Sequence, residues 1–560
     1  MLALAPSLSI LASIAALRGR QAEAADLSRV AERLAAGAAD ATSPDSGVVR
    51  EALARIRDIG PNATIDQALA DIPQDLRRLS KAGGLNVEDV VRLHDATGAT
   101  SLGELLGALR DRQAAAALEA DFVDAVRPAV ERTHAGRSKV ALGRAWDLTD
   151  VIVQAIREGC PEVQHLSPTG SLRRFAATVG DLEVLAASAD AARTSARLLA
   201  LPEVSAVLHA SRDRVVLRLA RAELTIRIVP PEAFVPRLVH LTGSAAHVCQ
   251  LRTRASAMGL TLTADTVLNA DGRPIPLTTE DALYDALDLA SIPPELREGA
   301  GEVEAAAARA LPDLVRRDQI RGDLHMHTDW SDGRDPIETM VVAAEALGYE
   351  YVAITDHSVS SAIARGLDVA RLERQMDAVA AARDAHPGIT VLQGAEVDIL
   401  PDGSLDFPDA VLERLDVVLA SLHDPAGHTS SQLTARYVQA MRHPLVQIVT
   451  HPTNRLVPTR AGYDLDEPRL FDAAADTGTV LEIDGAPGHL DMDGDMARRA
   501  IAAGVTVSVD GDCHRAELLG RHMEFAVRTA RRGWVAATQV VNTLPLEGLR
   551  RRLTVKRRSG

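Results

Sequence analysis

Apolar residues along the chain follow three different rhythms. Up to about Leu148 they recur three and four positions apart, in Ala-, Leu- and Arg-rich stretches almost free of β-branched runs, which is the helical period. From about Thr149 to Pro294, helical stretches mix with short runs that read as strands: 182–186, 205–208, 214–219 and 223–229. The segment 292–321 opens on Ile-Pro-Pro and closes in a helical run, so it reads as a linker. From Arg321 to about Leu553, apolar runs at 322–325, 350–355, 389–392, 415–421, 446–450, 479–483 and 505–509 alternate with helical stretches such as 336–347, 369–385, 432–441 and 496–503. That alternation predicts parallel strands joined by crossover helices, and about seven strands predict a closed or nearly closed β/α barrel.

Composition refines this picture without redirecting it. The chain has 560 residues, enough for three or four domains, with 46% hydrophobic and 25% charged residues, as in ordinary globular proteins. No apolar run reaches the roughly 18 residues of a membrane span. The apolar stretch from Met1 to Leu17 lacks the positive start of a signal peptide, since Arg18 and Arg20 follow it, and it reads as an amphipathic first helix. Cys160, Cys249 and Cys513 are too far apart for a disulfide framework, which fits a reducing cytoplasm. A net charge of −16 argues against general coating of nucleic acid but leaves room for a local basic groove. Lys81, Lys139 and Lys556 are the only lysines, so arginine carries nearly all the positive charge.

The barrel zone concentrates its chemistry at strand ends. His325 and His327 form an H-x-H pair that a period of two puts on one face. Asp332 follows in a Ser-Asp-Gly turn, His357 ends ITDH, Glu396 follows VLQGA, His423 ends VVLASLH, His451 ends QIVTH, and Asp512 and His514 close SVDGDCH. Active sites of β/α barrels sit at the rim where these ends converge. Imidazole mixed with carboxylate suits zinc, manganese or iron, and nine ligands exceed the needs of one ion, so two or three divalent metals are expected. Closely spaced metals serve phosphoester hydrolysis. Arg334, Arg455 and His489 are the candidate phosphate contacts.

Upstream, Gly170 and Ser171 open a Gly-Ser turn followed by Arg174, and Asp181 and Glu183 come 10 and 12 residues after the serine. Such a turn can offer backbone N–H groups to a triphosphate, and carboxylates two apart on a strand share the face that a Mg²⁺ pair requires.

Two family resemblances follow from these motifs. The stretches RGDLHMHTDWSDG, AITDHS, GAEVDI, ASLHD, THP and DGDCH resemble the PHP (polymerase and histidinol phosphatase) domain, which implies a distorted seven-stranded β/α barrel with a trinuclear metal site. The Gly-Ser turn, the acidic pair, ELTIRIVP, HLTGSAAH and IPPELRE resemble the bacterial family X DNA polymerases that carry such a domain at the C-terminus. The implied fold is multidomain α and α/β: an N-terminal helical domain (1–60), a degenerate helix-hairpin-helix region (61–148), a nucleotidyltransferase-like α+β palm (149–235), a thumb-like subdomain (236–300), a linker helix (301–320) and the PHP barrel (321–560). The implied partners are DNA with gaps or 3′ ends and a dNTP, with Gly170, Ser171 and Arg174 on the nucleotide phosphates and Mg²⁺ at the palm.

The chain departs from the polymerase pattern where that activity is most demanding. The family's Asp-x-Asp is Asp181 and Glu183 here, and Thr225 stands where a third Asp is expected. Glu223 lies about 6–7 Å away along the same strand face and substitutes only with a register shift. The YFTGS motif reads His240-Leu241-Thr242-Gly243-Ser244, the hairpin glycine loop reads Gly83-Gly84-Leu85-Asn86-Val87-Glu88, and the second hairpin, near 118–130, has no glycine pattern. Two-metal transfer needs all its carboxylates, so the polymerase site is read as impaired. The expected function is a cytoplasmic, metal-dependent phosphoesterase acting on DNA 3′ ends. The alternatives are a working gap-filling polymerase with PHP exonuclease, a phosphoesterase for a small phosphorylated metabolite, and a catalytically silent DNA-binding protein.

Overall fold

A computed structural model of the chain describes residues 4–35, 47–59, 64–65, 68–69, 72–81, 85–111, 116–135, 139–219 and 222–559. The chain forms two compact units, Met1–Ser138 and Lys139–Gly560.

The first unit is helical. Its opening helix, Ala5–Leu17, carries no charged residue, and its packing is not that of an amphipathic surface helix. Leu8, Leu11, Ala12 and Ala15 are buried in one apolar cluster while Ile14 is buried in a second, so the helix is covered on several faces. The stretch expected to hold the first hairpin contains the helices Gln74–Lys81 and Val87–Thr97, the latter capped by Asn86, whose side chain accepts from the Asp89 N–H at 2.7 Å. Gly83 and Gly84 of the expected glycine loop lie outside the described residues. The stretch 118–130, where the second hairpin is expected, runs into the single helix Ala120–Ala135.

The second unit begins before the helix Leu142–Gly159, which buries Leu142, Ala145, Ile152 and Ile156 in the core of a five-stranded sheet. That sheet comprises β1 (Val163–Pro168), β2 (Leu182–Ser188), β3 (Ala206–Ala210), β4 (Arg214–Leu219) and β5 (Ala222–Val229), in the order β1-β2-β5-β4-β3. Strand β1 was not among the sequence expectations. Its VQHLSP sequence is half polar and ends in proline, as edge strands tolerate. Helices Phe234–Thr242, Ala245–Ala257 and Glu280–Ala286 follow around their own core of Leu238, Leu251, Leu283 and Tyr284.

The third zone is a nearly closed barrel of seven parallel strands in sequential order: β6 (Gly322–Asp323), β7 (Tyr351–Ile354), β8 (Thr390–Asp398), β9 (Val417–Ser421), β10 (Ile448–Val449), β11 (Val480–Asp484) and β12 (Val507–Asp510). The strands read as continuous apolar runs because both faces are covered. Side chains help to join the first and last strands. Asp510 accepts from the Leu324 N–H at 2.8 Å, and Asn542 accepts from the Val509 N–H at 2.9 Å while donating to Asp510 and to the Gly322 carbonyl. The C-terminal helix Leu546–Ser559 contributes Leu549 and Leu553 to the apolar cluster of Leu324, Tyr351, Val417 and Ile448.

The helix Leu519–Arg532 carries the barrel onto the palm sheet. Phe525 is fully buried inside the palm core, edge-on to Phe175 at 4.9 Å and to Trp146 at 5.8 Å between ring centroids. Arg528 stacks over Phe175 and pairs with buried Glu295, and Arg532 donates to the Arg174 carbonyl and to Glu298. The palm core is thus completed by a residue 350 positions downstream of Phe175.

Candidate metal centre and the palm cleft

The expected barrel ligands lie at the C-terminal side of the strands, Glu396 within β8 and Asp332 in the turn that follows β6 and the His325–His327 pair, and the donor atoms converge. Four groups have ligand atoms within 4.8 Å of one another: His327, Asp332, His357 and His514; His325, His327 and Asp512; His325, Glu396 and His451; and His357, Glu396 and His423. Glu396 is the hub. Its oxygens lie 2.8 Å from His357 Nδ1, 3.0 Å from His451 Nε2, 3.3 Å from His423 Nε2 and 3.5 Å from the Nε2 atoms of His325 and His327. Asp512 lies 3.1 Å from His327 and 3.6 Å from His325. His325, His327, Glu396 and His451 are buried, whereas Asp332, His423 and His514 are about one-third exposed and form the open side.

Two glycines allow the approach. A Cβ on Gly333 would meet the His327 carbonyl at 2.5 Å, and one on Gly511 would meet Asp323 Oδ2 at 2.8 Å. Gly511 is clamped at both ends: its N–H donates to Asp323, and its carbonyl accepts from His522 Nδ1 at 2.9 Å. The next residue, Asp512, is held at φ +42°, a conformation that costs a non-glycine residue about 1–2 kcal/mol.

The electrostatics of the cluster are those of a cation site. Burial opposes charge on His325, but Glu482 and Asp512 raise its pKa well above the usual value. Burial likewise opposes charge on His423 and His514, yet nearby carboxylates push both up to about 9. Burial, reinforced by His357 and His514, lowers His327 to about 3. Burial works against ionisation of Glu396, but His357 and His423 hold it well below the carboxylate range. Buried donors without hydrogen-bond geometry, among them His327 Nδ1, Glu396 Oε2 and His451 Nδ1, complete a nitrogen–oxygen set that suits divalent metal.

Several supporting residues escaped the sequence reading. Glu482 lies 2.7 Å from His325 Nδ1, and Asp398 lies 2.9 Å from His423 Nδ1, the carboxylate–histidine pairing that fixes a ligand's tautomer and orientation. Buried Asp484 leaves Oδ2 without a hydrogen bond, its pKa raised well above normal by burial and by Asp512 and Glu482. Asp398 follows Glu396 by two positions on β8, and Glu482 and Asp484 are two apart on β11. A period-two reading of these strands could have found all three.

The candidate phosphate contacts separate. Arg334 is exposed, next to the Asp332 turn, with no ion pair among the described residues. His489 borders the cluster, 5.5 Å from His451 between ring centroids, and burial with His451 lowers it to about 4. Arg455 is occupied otherwise: its three nitrogens bond the His489 carbonyl, the Leu490 carbonyl and Asp493, so it braces the loop that carries His489.

The palm cleft is organised differently. Glu183 and Thr225 are direct register partners on β2 and β5, without the shift that Glu223 would need. Glu223 instead pairs with Arg218 across β4 at 3.3 Å. Glu183 accepts from Arg227 Nε at 2.5 Å and from Thr169 Oγ1 at 3.1 Å. Among the described residues, no group of three His, Cys, Asp or Glu ligands comparable to those of the barrel includes Asp181 or Glu183. Gly170 starts the short helix Gly170–Arg173 at φ +61°. Arg174 donates to Glu298 at 3.0 Å and to the Thr242 carbonyl at 2.6 Å, which ties the turn to the following helices.

Comparison with known proteins agrees with this division. Residues 237–298 match the family model described as DNA polymerase beta thumb, and residues 323–455 match the PHP domain. The chain is 32% identical over 501 residues to the Bacillus subtilis (strain 168) protein named DNA polymerase/3'-5' exonuclease PolX, covering 88% of this chain and 86% of that protein. The chain belongs to the PolX family. The chain is also similar over part of its length to two proteins named as probable phosphatases. The one from Thermoanaerobacter sp. (strain X514) is 30% identical over 28% of this chain and 65% of its own length, and the one from Syntrophotalea carbinolica is 28% identical over 39% of this chain and 90% of its own length. As a PolX-family member the chain combines a PHP-type metal-dependent phosphoesterase with a polymerase-like region.

Proposed function

We propose that the barrel cleaves phosphodiester bonds at DNA 3′ ends, as a 3′–5′ exonuclease or 3′-end-processing enzyme of cytoplasmic DNA repair, and that the polymerase-like region holds DNA with little synthesis. The observation that carries this reading is the contrast between nine convergent ligands at the barrel rim and a palm in which Glu183 is tied to Arg227 opposite Thr225. The name of the Bacillus subtilis relative, with its 3′-5′ exonuclease, supports DNA as the substrate. No helix among the described residues is long and apolar enough to cross a membrane.

His325, His327, Asp332, His357, Glu396, His423, His451, Asp512 and His514 would hold two or three ions of manganese, zinc or iron. Bound there, such ions supply a nucleophilic water at neutral pH and neutralise charge on the phosphate. Glu482 and Asp398 keep His325 and His423 in their ligating tautomers. Arg334 neutralises phosphate at the open side, and His489, neutral at pH 7, offers an uncharged N–H to a phosphate oxygen. The N-terminal helices, palm and thumb position the duplex. In the palm, Asp181 and Glu183 would retain one Mg²⁺, and Gly170, Ser171 and Arg174 would bind dNTP phosphates, without the third carboxylate that primer activation needs.

The test is a 5′-labelled duplex with a one-nucleotide gap, incubated with Mn²⁺ with and without dNTPs. The expected result is a ladder of shortened products that dNTPs do not convert to extension. Efficient gap filling would favour the polymerase alternative, and no change in the DNA alongside turnover of a small phosphomonoester would favour the metabolite alternative.

A further inference from the structure

The loop Ser358–Leu367 follows directly from the ligand His357 and is held at both ends. Ser358 and Leu367 bridge in parallel, and the Leu367 N–H donates to the His357 carbonyl at 2.7 Å. Ser360 donates to Asp406 through N–H and hydroxyl, both at 2.7 Å. Ser361 Oγ donates to Asp398 at 2.6 Å and lies 3.2 Å from Nδ1 of the ligand His423. Arg371 bonds the Arg365 and Gly366 carbonyls and, from its other terminal nitrogen, the Trp330 carbonyl. A Cβ on Gly366 would lie 1.8 Å from the Ser358 carbonyl, so the loop closes only with glycine there.

This anchored loop presents its least soluble side chain to water. Ile363, in the single turn Ala362–Ala364, is fully exposed at 103% of its reference area, and Val359 on the same loop is 47% exposed. Single exposed apolar residues are common on protein surfaces. Here, however, the exposed isoleucine sits two residues from a side chain that touches a metal-ligand histidine. Two residues further on, Arg365 is exposed and forms no ion pair among the described residues, as does Arg334 by the Asp332 turn.

An apolar tip and a free guanidinium beside a phosphoesterase centre fit one chemistry: a strand whose phosphate is held at the centre while its flat, apolar base needs a dry contact. We infer that the loop Ser358–Leu367 receives the terminal nucleotide of a nucleic-acid strand, with Ile363 packed on the base and Arg365 on a neighbouring backbone phosphate. The inference rests on the DNA-end reading above and adds the element that selects a strand over a small phosphomonoester.

Full-length enzyme with Mn²⁺ is assayed on a 5′-labelled oligodeoxynucleotide and on p-nitrophenyl phosphate, which has neither a nucleobase for Ile363 nor a second phosphate for Arg365. In Ile363→Ala the ratio of oligonucleotide to p-nitrophenyl phosphate kcat/KM should fall about tenfold, the scale of losing the apolar area that an isoleucine side chain buries, and Ile363→Phe, which can stack on the base, should keep or raise it. Arg365→Gln should make the salt dependence of oligonucleotide kcat/KM shallower by about 0.7–0.9 in log–log slope, as for one lost phosphate contact. Ile363 supports no packing, so these variants test the contact and not the fold. An unchanged ratio in Ile363→Ala overturns the loop assignment while leaving DNA-end cleavage intact. A wild-type enzyme that turns over p-nitrophenyl phosphate but not the oligonucleotide overturns the DNA-end reading itself, and the loop assignment with it.

Discussion

The barrel rim and the palm cleft both gather carboxylates at strand ends, but they neutralise them with different partners. In the barrel Glu396 faces five imidazoles, each of which can release a proton and turn a lone pair toward a metal. In the palm Glu183 faces the guanidinium of Arg227, which keeps its charge at any working pH and cannot act as a ligand. The charge of Glu396 is therefore surrounded by groups that can yield to a metal, whereas that of Glu183 is already paired with a fixed cation. The neighbours of an acidic residue decide how readily it can turn to a metal.

Breaking the barrel side of the comparison should produce the largest effect. His327→Ala or Asp512→Ala should lower phosphoesterase turnover by about a thousandfold or more, since several kcal/mol of charge stabilisation depends on the ligand set, while the palm fold stays intact by circular dichroism. Full activity at limiting metal in either variant would remove the barrel assignment.

The two regions are joined by Phe525, which lies in the barrel's helix and the palm's core. Phe525→Ala should cost about 3–5 kcal/mol and lower the melting of palm and barrel together. Calorimetry showing a barrel transition at its wild-type temperature would mean that the two unfold independently.

Glu280 tests how firmly the polymerase-like region is held from within. Burial opposes its ionisation, but Arg173, at 2.5 Å, and Arg297, at 2.6 Å, lower its pKa from 4.5 to about 2. A depressed folded-state pKa gives stability that is complete above about 4.5 and disappears as pH falls toward 2. Glu280→Gln should therefore cost about 3 kcal/mol at pH 7 and progressively less through that window. Equal destabilisation at pH 7 and pH 3 in denaturant titrations would contradict the ion-pair account.

The palm side should show the smallest change, because little activity is there to lose. With the barrel disabled by His327→Ala, extension across a one-nucleotide gap should be about a hundredfold below that of the Glu183→Asp, Thr225→Asp double variant, the scale of an ångström-level misplacement. Robust extension without those substitutions that vanishes in Asp181→Ala would show that the palm is not impaired.

Much of this was legible in the linear chain. Parallel strands buried on both faces appear as apolar runs, and a side chain that ends such a run has only one rim to reach, so the nine candidate ligands could be listed from the chain alone. The resemblance to the family X polymerases, not periodicity, marked Thr225 as the position where a third carboxylate is expected; strand alternation added only that Glu223 shares its face. What the chain could not declare depended on contacts between distant segments. Arg455 and Arg334 are the same residue type near the same rim, yet one is spent on loop carbonyls and the other is exposed with no ion pair among the described residues. The pairing of Glu183 with Arg227 required the β2–β5 register, and the clamp on Gly511 required Asp323 and His522 from two other segments. Local periodicity is written into consecutive residues and survives in the sequence. Which charge meets which partner is decided by side chains dozens to hundreds of positions apart, and only folding brings them together.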